Sequence, residues 1–215
     1  MNKIISAEQV AAHVKDGMTL MIGGFLGNGT PEKLIDALLA SGVKDLTIIC
    51  NDTSFPDRGI GRLVAERRVR RVITSHIGTN PNTGEQMNTG QIEVEFSPQG
   101  TLAERVRAGG SGLGGVLTPT GLGTMVAEGK EVIEVDGRKY LLERPLRADV
   151  ALIGASAGDC SGNLIYKGTS QNFNPLMAMA ADTVIAQVGE LVETGALAPE
   201  NVRTPAIFVD YIVED

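Results

Sequence analysis

The stretch Asp16-Gly-Met-Thr-Leu-Met-Ile-Gly-Gly-Phe-Leu-Gly-Asn-Gly-Thr-Pro31 decides the fold. Its apolar run, Met18–Ile22, has the length and continuity of a strand buried on both faces. Thr30 and Pro31 then read as the N-cap and first position of a helix expected through Leu39 and stopped near Gly42. Between strand and helix lie Gly23, Gly24, Phe25, Leu26, Gly27, Asn28 and Gly29, four glycines in seven residues. Such a turn can point backbone amides outward, and the helix start adds positive potential, so an anionic ligand is one reading. A tight strand-to-helix connection without a ligand is the other, and the residues alone do not separate them. The spacing fits neither G-x-G-x-x-G nor G-x-x-x-x-G-K-[ST], which argues against a dinucleotide or ATP.

The same alternation continues on either side. Ser6 with Gln9 makes a capping box for a short helix to about Val14. Leu46–Cys50 and Val72–Ser75 read as further buried strands, with helical potential from Gly59 to Arg67 between them. Strands and helices in this order predict a parallel α/β sheet. The middle of the chain breaks the rhythm. Gln91–Phe96 alternates as a strand, and Thr101 with Glu104 forms a second capping box for a helix ending at Gly109-Gly110. Glu131–Val135 and Arg138–Leu142, joined by Asp136-Gly137, predict a hairpin with a type I′ turn. Then come a strand at Val150–Ile153, a helix from Asn174-Pro175 to about Ala181, and strands at Thr183–Ala186 and Ile207–Tyr211. The expected fold is a single open, mostly parallel α/β sheet flanked by helices, with an inserted β-hairpin, forming one domain over residues 1–215.

The totals agree with one domain: 215 residues, 42% hydrophobic and 21% charged. Acidic residues outnumber basic ones 26 to 19, a net charge of −7 that disfavours a nucleic-acid partner. No apolar run nears the roughly 18 residues of a membrane span, and the first residues lack a signal-peptide pattern. A cytoplasmic location is expected, away from membranes. Cys50 and Cys160 read as two buried thiols rather than a disulfide or metal pair. No cluster has metal-ligand spacing, and His13 and His76 stand apart from any acid constellation. Arg67-Arg68-Val-Arg70-Arg71 reads as a cationic helix end complementing the dipole rather than a phosphate site.

Several motifs in order resemble one family. They are Asp16-Gly17, Gly23-Gly24-Phe25 and Gly29-x-Pro31, then Asn51-Asp52, Ser97-Pro-Gln-Gly-Thr-Leu-Ala-Glu-Arg105, Arg107-Ala-Gly-Gly-Ser-Gly-Leu-Gly-Gly115, Thr118-Pro-Thr-Gly-Leu-Gly-Thr124 and Asn172-Phe-Asn-Pro175. Together they resemble the alpha-type half of family I CoA-transferases, nearest to the acetate- or butyrate-acetoacetate subunits, with succinyl-CoA:3-oxoacid enzymes further off. The resemblance implies covalent transfer of CoA through a glutamyl-CoA thioester, with coenzyme A as a substrate and no permanently bound cofactor. It also implies a beta subunit, as two alpha and two beta chains, acting on acyl-CoA and short-chain carboxylates.

The nucleophilic glutamate of that reaction belongs to the beta-type half, and its motif is missing here. Glu104 reads instead as the N3 partner of Thr101. Gln99, placed two residues before that expected N-cap, is on the residues alone an exposed turn glutamine; the resemblance makes it an oxyanion-hole donor. The same resemblance gives Gly23–Gly29 a CoA-binding role. Asn51, at the end of a strand, either orients substrate or simply turns the chain. The Gly109–Gly115 run reads as close backbone packing or as a surface loop. A self-sufficient sugar-phosphate isomerase would need an internal acid/base pair that the sequence does not offer. A non-catalytic CoA- or acyl-binding module remains an alternative.

Overall fold

Apolar residues alternate between the two faces of the buried strands, and that alternation builds a core on each side of one sheet. A computed structural model describes residues 3–215. In chain order its first elements are α1 (Ala7–Val10, continued by a 3₁₀ turn Ala11–His13), β1 (Thr19–Ile22), α2 (Glu32–Ser41), β2 (Leu46–Ile49), α3 (Ile60–Ala65), β3 (Val69–Thr74) and α4 (Pro81–Asn88). There follow β4 (Glu93–Phe96), α5 (Gln99–Gly110), β5 (Val116–Thr118), β6 (Val132–Val135), β7 (Arg138–Glu143) and β8 (Ala148–Ala155). The chain closes with β9 (Ala157–Asp159), β10 (Leu164–Ile165), α6 (Asn174–Met179), β11 (Ala181–Val188), β12 (Leu191–Val192) and β13 (Tyr211–Glu214).

Seven strands form the main sheet in the order β13-β11-β8-β1-β2-β3-β4, and every neighbouring pair is parallel. On one face Leu20, Ile22, Ile48, Val72, Val150 and Leu152 pack with Leu34, Ile35 and Leu38 of α2 and Leu63 of α3. On the other, Met21, Ile49, Ile73, Ala151 and Ile153 pack with Leu102 and Val106 of α5 and Met177 of α6. Strand order runs outward from β1 to β4, then returns to the far side of β1 at β8. The β1/β8 crevice is therefore a switch point, and open parallel sheets bind ligands beyond the carboxyl ends of strands at such a place.

The hairpin forms as expected, with Asp136 at φ 50° and Gly137 at φ 74°, both in the left-handed region that a type I′ turn requires. It gains a third strand, β5, on the β7 side. An ion network ties this small sheet to the main one. Arg105 of α5 bonds Glu95 of β4 at 2.8 Å and approaches buried Glu143 of β7 at 3.8 Å, while Lys130 reaches Glu143 at 2.6 Å.

Several boundaries differ from expectation for local reasons. Pro31, not Thr30, is the N-cap of α2; the Thr30 side chain instead covers Gly24 and Gly59. Helix α5 starts at Gln99 with Pro98 as N-cap, so Thr101 is a buried interior residue and no capping box forms. Glu104 bonds Arg107 at 2.7 Å instead. Residues Ala206–Phe208 make a 3₁₀ turn with Ile207 exposed, and the last strand begins only at Tyr211. Helix α4 was not anticipated. Cys50 is buried, but Cys160 is only partly so, which corrects the expectation of two buried thiols. Arg68 does serve a helix end, yet that of α2, donating to the Gly42 carbonyl at 2.6 Å. Gly109 and Gly110 pack against this chain itself: a Cβ on Gly109 would lie 1.9 Å from the Leu146 carbonyl oxygen.

Candidate active site at the carboxyl edge of the sheet

Beyond β1, the Gly23–Gly29 stretch folds into a small finger. Phe25 and Asn28 exchange backbone bonds of 3.0 and 2.9 Å, and Leu26 (φ 48°) and Gly27 (φ 86°) make the turn between them. Leu26 is a γ-branched residue held in the left-handed region, which costs on the order of 1 kcal/mol and needs the surroundings to hold it. Two asparagines, Asn172 just before α6 and Asn174 at its first position, do so. Asn172 accepts from the Gly24 amide (3.1 Å) and donates to the Asn28 carbonyl (3.0 Å). Asn174 donates to the Gly29 carbonyl (3.1 Å) and accepts from the Gly154 amide of β8 (3.0 Å). Asn28 also donates through its side chain to the Thr169 hydroxyl. Gly23 is glycine because a Cβ there would fall 1.7 Å from Asn174 Oδ1.

Most of the finger's amides thus point inward, not outward. Those of Gly23, Gly24, Phe25, Leu26 and Asn28 all have acceptors within the chain. The start of α2 is similarly occupied: Lys33 N–H donates to Gln187 Oε1 at 2.9 Å, and the Glu32 carboxylate sits there accepting from Gly59. Among the described residues only the amides of Gly27 and Gly29 in this stretch lack an acceptor. Any backbone hydrogen bonding to an anionic ligand from this turn rests on those two.

Beyond β2, Asn51 and Asp52 are both buried. The Asn51 carbonyl accepts from the Ser75 amide (3.0 Å), the Ser75 hydroxyl (2.7 Å) and the Thr74 hydroxyl (3.0 Å), which fixes the residue against β3. Its side chain faces Gln99, whose Nε2 donates to Asn51 Oδ1 at 2.7 Å. The structure therefore brings Gln99 and Asn51 together across 48 residues of sequence. Gln99 is the first residue of a twelve-residue helix, at its positive end, rather than in the turn before it.

Asp52 was not singled out by sequence reasoning, yet it joins the two halves of this edge. Its Oδ2 accepts from Asn51 Nδ2 (2.6 Å) and from the Leu26 amide (3.0 Å), and its Oδ1 accepts from the Ser54 amide (2.8 Å). In the sequence it stood only within the Asn51-Asp52 motif, with no role of its own. Asn172 and Asn174 were visible only as a motif, without a role. His76 pairs with Asp52 through a backbone bridge, with no ion pair between them among the described residues. No group of three or more potential metal ligands lies together among the described residues, and no described helix is long and apolar enough to cross a membrane.

A parallel sheet with glycine-rich and carboxamide-bearing loops gathered at its carboxyl edge defines an open-sheet α/β protein with a candidate ligand site at that edge. The coenzyme A transferase family model matches residues 4–215, and the chain belongs to that family. It is 54% identical over 211 residues to the acetate CoA-transferase subunit alpha of Escherichia coli (strain K12), covering 98% of this chain and 96% of the relative. It is 55% identical over 214 residues to the acetoacetyl-CoA:acetate/butyrate CoA transferase alpha subunit of Clostridium acetobutylicum, covering 100% and 98%. Among solved structures, an acyl-CoA transferase from E. coli O157:H7, in a thioester complex with CoA, superimposes with a TM-score of 0.88 at 25% identity. That match covers 100% of this chain and 47% of the other, so the chain spans about half the length of that polypeptide.

Proposed function

We propose that the chain is the alpha subunit of an enzyme that moves CoA between acetoacetyl-CoA and acetate or butyrate, completed by a beta subunit that carries the nucleophilic glutamate. One observation carries this reading: Gln99 offers a carboxamide donor at this edge, while the carboxylates in the two motifs that meet there, Asp52 and Glu104, are both engaged within the chain. Asp52 is buried with both oxygens engaged, and Glu104 is tied to Arg107. The match to half of a longer single-chain transferase supports a divided site. So do the two alpha-subunit relatives, whose names carry acetate and butyrate.

In the proposed reaction the partner's glutamate attacks the thioester carbonyl of acyl-CoA. Collapse of the adduct expels the CoA thiolate and leaves an acyl-glutamyl anhydride. The thiolate then attacks the glutamyl carbonyl, giving a glutamyl-CoA thioester and releasing the first carboxylate. The incoming carboxylate repeats these steps in reverse order. Every addition places negative charge on a carbonyl oxygen. Gln99 Nε2 uses one hydrogen on Asn51 and has a second to offer that oxygen, at the positive end of α5. The finger tip around Gly27 and Gly29 is the proposed contact for CoA, through the two amides left open there.

Two measurements test this. The purified chain alone should show no CoA transfer from acetoacetyl-CoA to acetate, and should gain it on addition of the beta subunit; activity without the partner would refute the divided site. In the assembled enzyme Gln99→Ala should lower kcat by roughly a hundredfold, the effect of losing one oxyanion donor of about 3 kcal/mol. An unchanged kcat would remove Gln99 from that role.

A further inference from the structure

We infer that Asp52 is a positioning residue that sets the direction of the Gln99 carboxamide through Asn51 and, with the same oxygen, holds the Leu26 turn of the glycine finger. The inference rests on the proposed oxyanion role of Gln99 and adds to it the device that makes the donor face the right way.

A carboxamide has two ends of nearly equal shape, one that donates and one that accepts, so its orientation has to be dictated by neighbours. An ionised carboxylate only accepts. Asp52 is buried and surrounded by three donors, the Leu26 amide, the Ser54 amide and Asn51 Nδ2. Asn51 must therefore present its NH₂ to Asp52 and its oxygen to the other side. Gln99 meets this oxygen and has to turn its own NH₂ toward it. One acceptor-only group thus fixes the polarity of two successive carboxamides. Without it, Asn51 and Gln99 can both flip, and Gln99 then puts its oxygen where its nitrogen should be.

The second arm of Asp52 has a separate consequence. Leu26 occupies the left-handed region, and its amide bond to Asp52 Oδ2 is the side-chain tether at that residue. The donor and the finger are therefore placed by the same carboxylate, and they move together if it is altered.

The test uses the assembled enzyme with acetoacetyl-CoA and acetate, and compares Asp52→Asn, Asn51→Ala, Gln99→Ala and the double variant Asp52→Asn/Gln99→Ala. A relay predicts that Asp52→Asn and Asn51→Ala each lower kcat at least tenfold. It also predicts that adding Asp52→Asn to Gln99→Ala lowers kcat no further, because nothing remains to be oriented. A role limited to folding would lower both backgrounds equally, and multiplying effects on kcat overturn the inference. The finger arm predicts a higher KM for CoA substrates with Asp52→Asn but not with Asn51→Ala, which leaves the Leu26 bond in place; equal KM values for the two variants refute that arm. Should Asp52→Asn fail to assemble, Asn51→Ala and Asn51→Ala/Gln99→Ala carry the kcat test alone. If Gln99→Ala leaves kcat unchanged, the oxyanion reading fails and the relay fails with it. If Gln99→Ala is impaired and the effects multiply, only the relay fails.

Discussion

At Gly23 a single hydrogen atom separates a working connection from a collision. An alanine there would thrust its Cβ to 1.7 Å from Asn174 Oδ1, the atom that accepts from the Gly154 amide. Gly23→Ala should destabilise the protein by about 1–3 kcal/mol through overpacking. Asn174→Ala should lose a similar amount, because it leaves the buried Gly154 amide without an acceptor. The two changes touch one space, so the double variant is expected to lose less than their sum, read from urea midpoints. Gln99 was legible in the sequence only through its motif, and Asn51 only as a residue at a strand end; their pairing, the carboxylate behind them and the place of Gln99 on a helix were not. Contacts across 48 residues leave no local trace, since Asn, Asp and Gln at strand ends are as consistent with turns as with a relay.

Elements were legible where apolar residues dictated them. The strands β1, β2 and β8 are buried on both faces, and continuous apolar runs announce that. Helix α4 gave no such signal, because Pro-Asn-Thr-Gly-Glu-Gln-Met-Asn has no apolar stripe. It is held by polar groups instead. The Asn80 side chain caps it, Gln86 donates to the Val64 carbonyl at 2.8 Å, and Thr83 bonds Thr53 at 3.0 Å. The ion network under the β5-β7-β6 sheet was equally silent, yet it ties that sheet to the main one. Removing Arg105 leaves Glu143 buried with Lys130 alone, so Arg105→Met should cost about 1.5–3 kcal/mol in a thermal or urea unfolding experiment, the loss of a hydrogen bond to a charged group. The same network gives a direction with pH. Burial raises the pKa of Glu95, but its bonds to Arg105 and Arg71 outweigh this and hold it below the ordinary 4.5. A carboxylate lowered in the folded state contributes its stability above the unfolded value and loses it as pH falls through the folded one. Stability should therefore drop below about pH 4.5 in the native protein, and drop less steeply in Arg105→Met; parallel pH profiles would count against this assignment.

Across the whole molecule, the two cores share the strands of one sheet, so neither can open without disturbing the other. The cysteines offer a direct readout. Cys50 lies wholly inside, and burial, then the charge of Asp52, push its thiol well above the ordinary range. Cys160 is partly exposed. A thiol reagent at pH 8 should label Cys160 in a fast phase and Cys50 only at the slow rate of global opening, with both reacting together in denaturant. Two fast thiols in the native protein would contradict a single cooperative unit. The glycine finger has its own consequence at this scale. Glycine-rich loops are usually thought of as slack, but this one is lashed by Asn172, Asn174, Asp52 and its own β-bridge. Its conformational entropy is surrendered during folding, not at the moment of encounter. A ligand that docks on the finger meets a surface already set, so calorimetry should register little entropic penalty from the loop, and amide exchange at Leu26 should be slow before any ligand arrives.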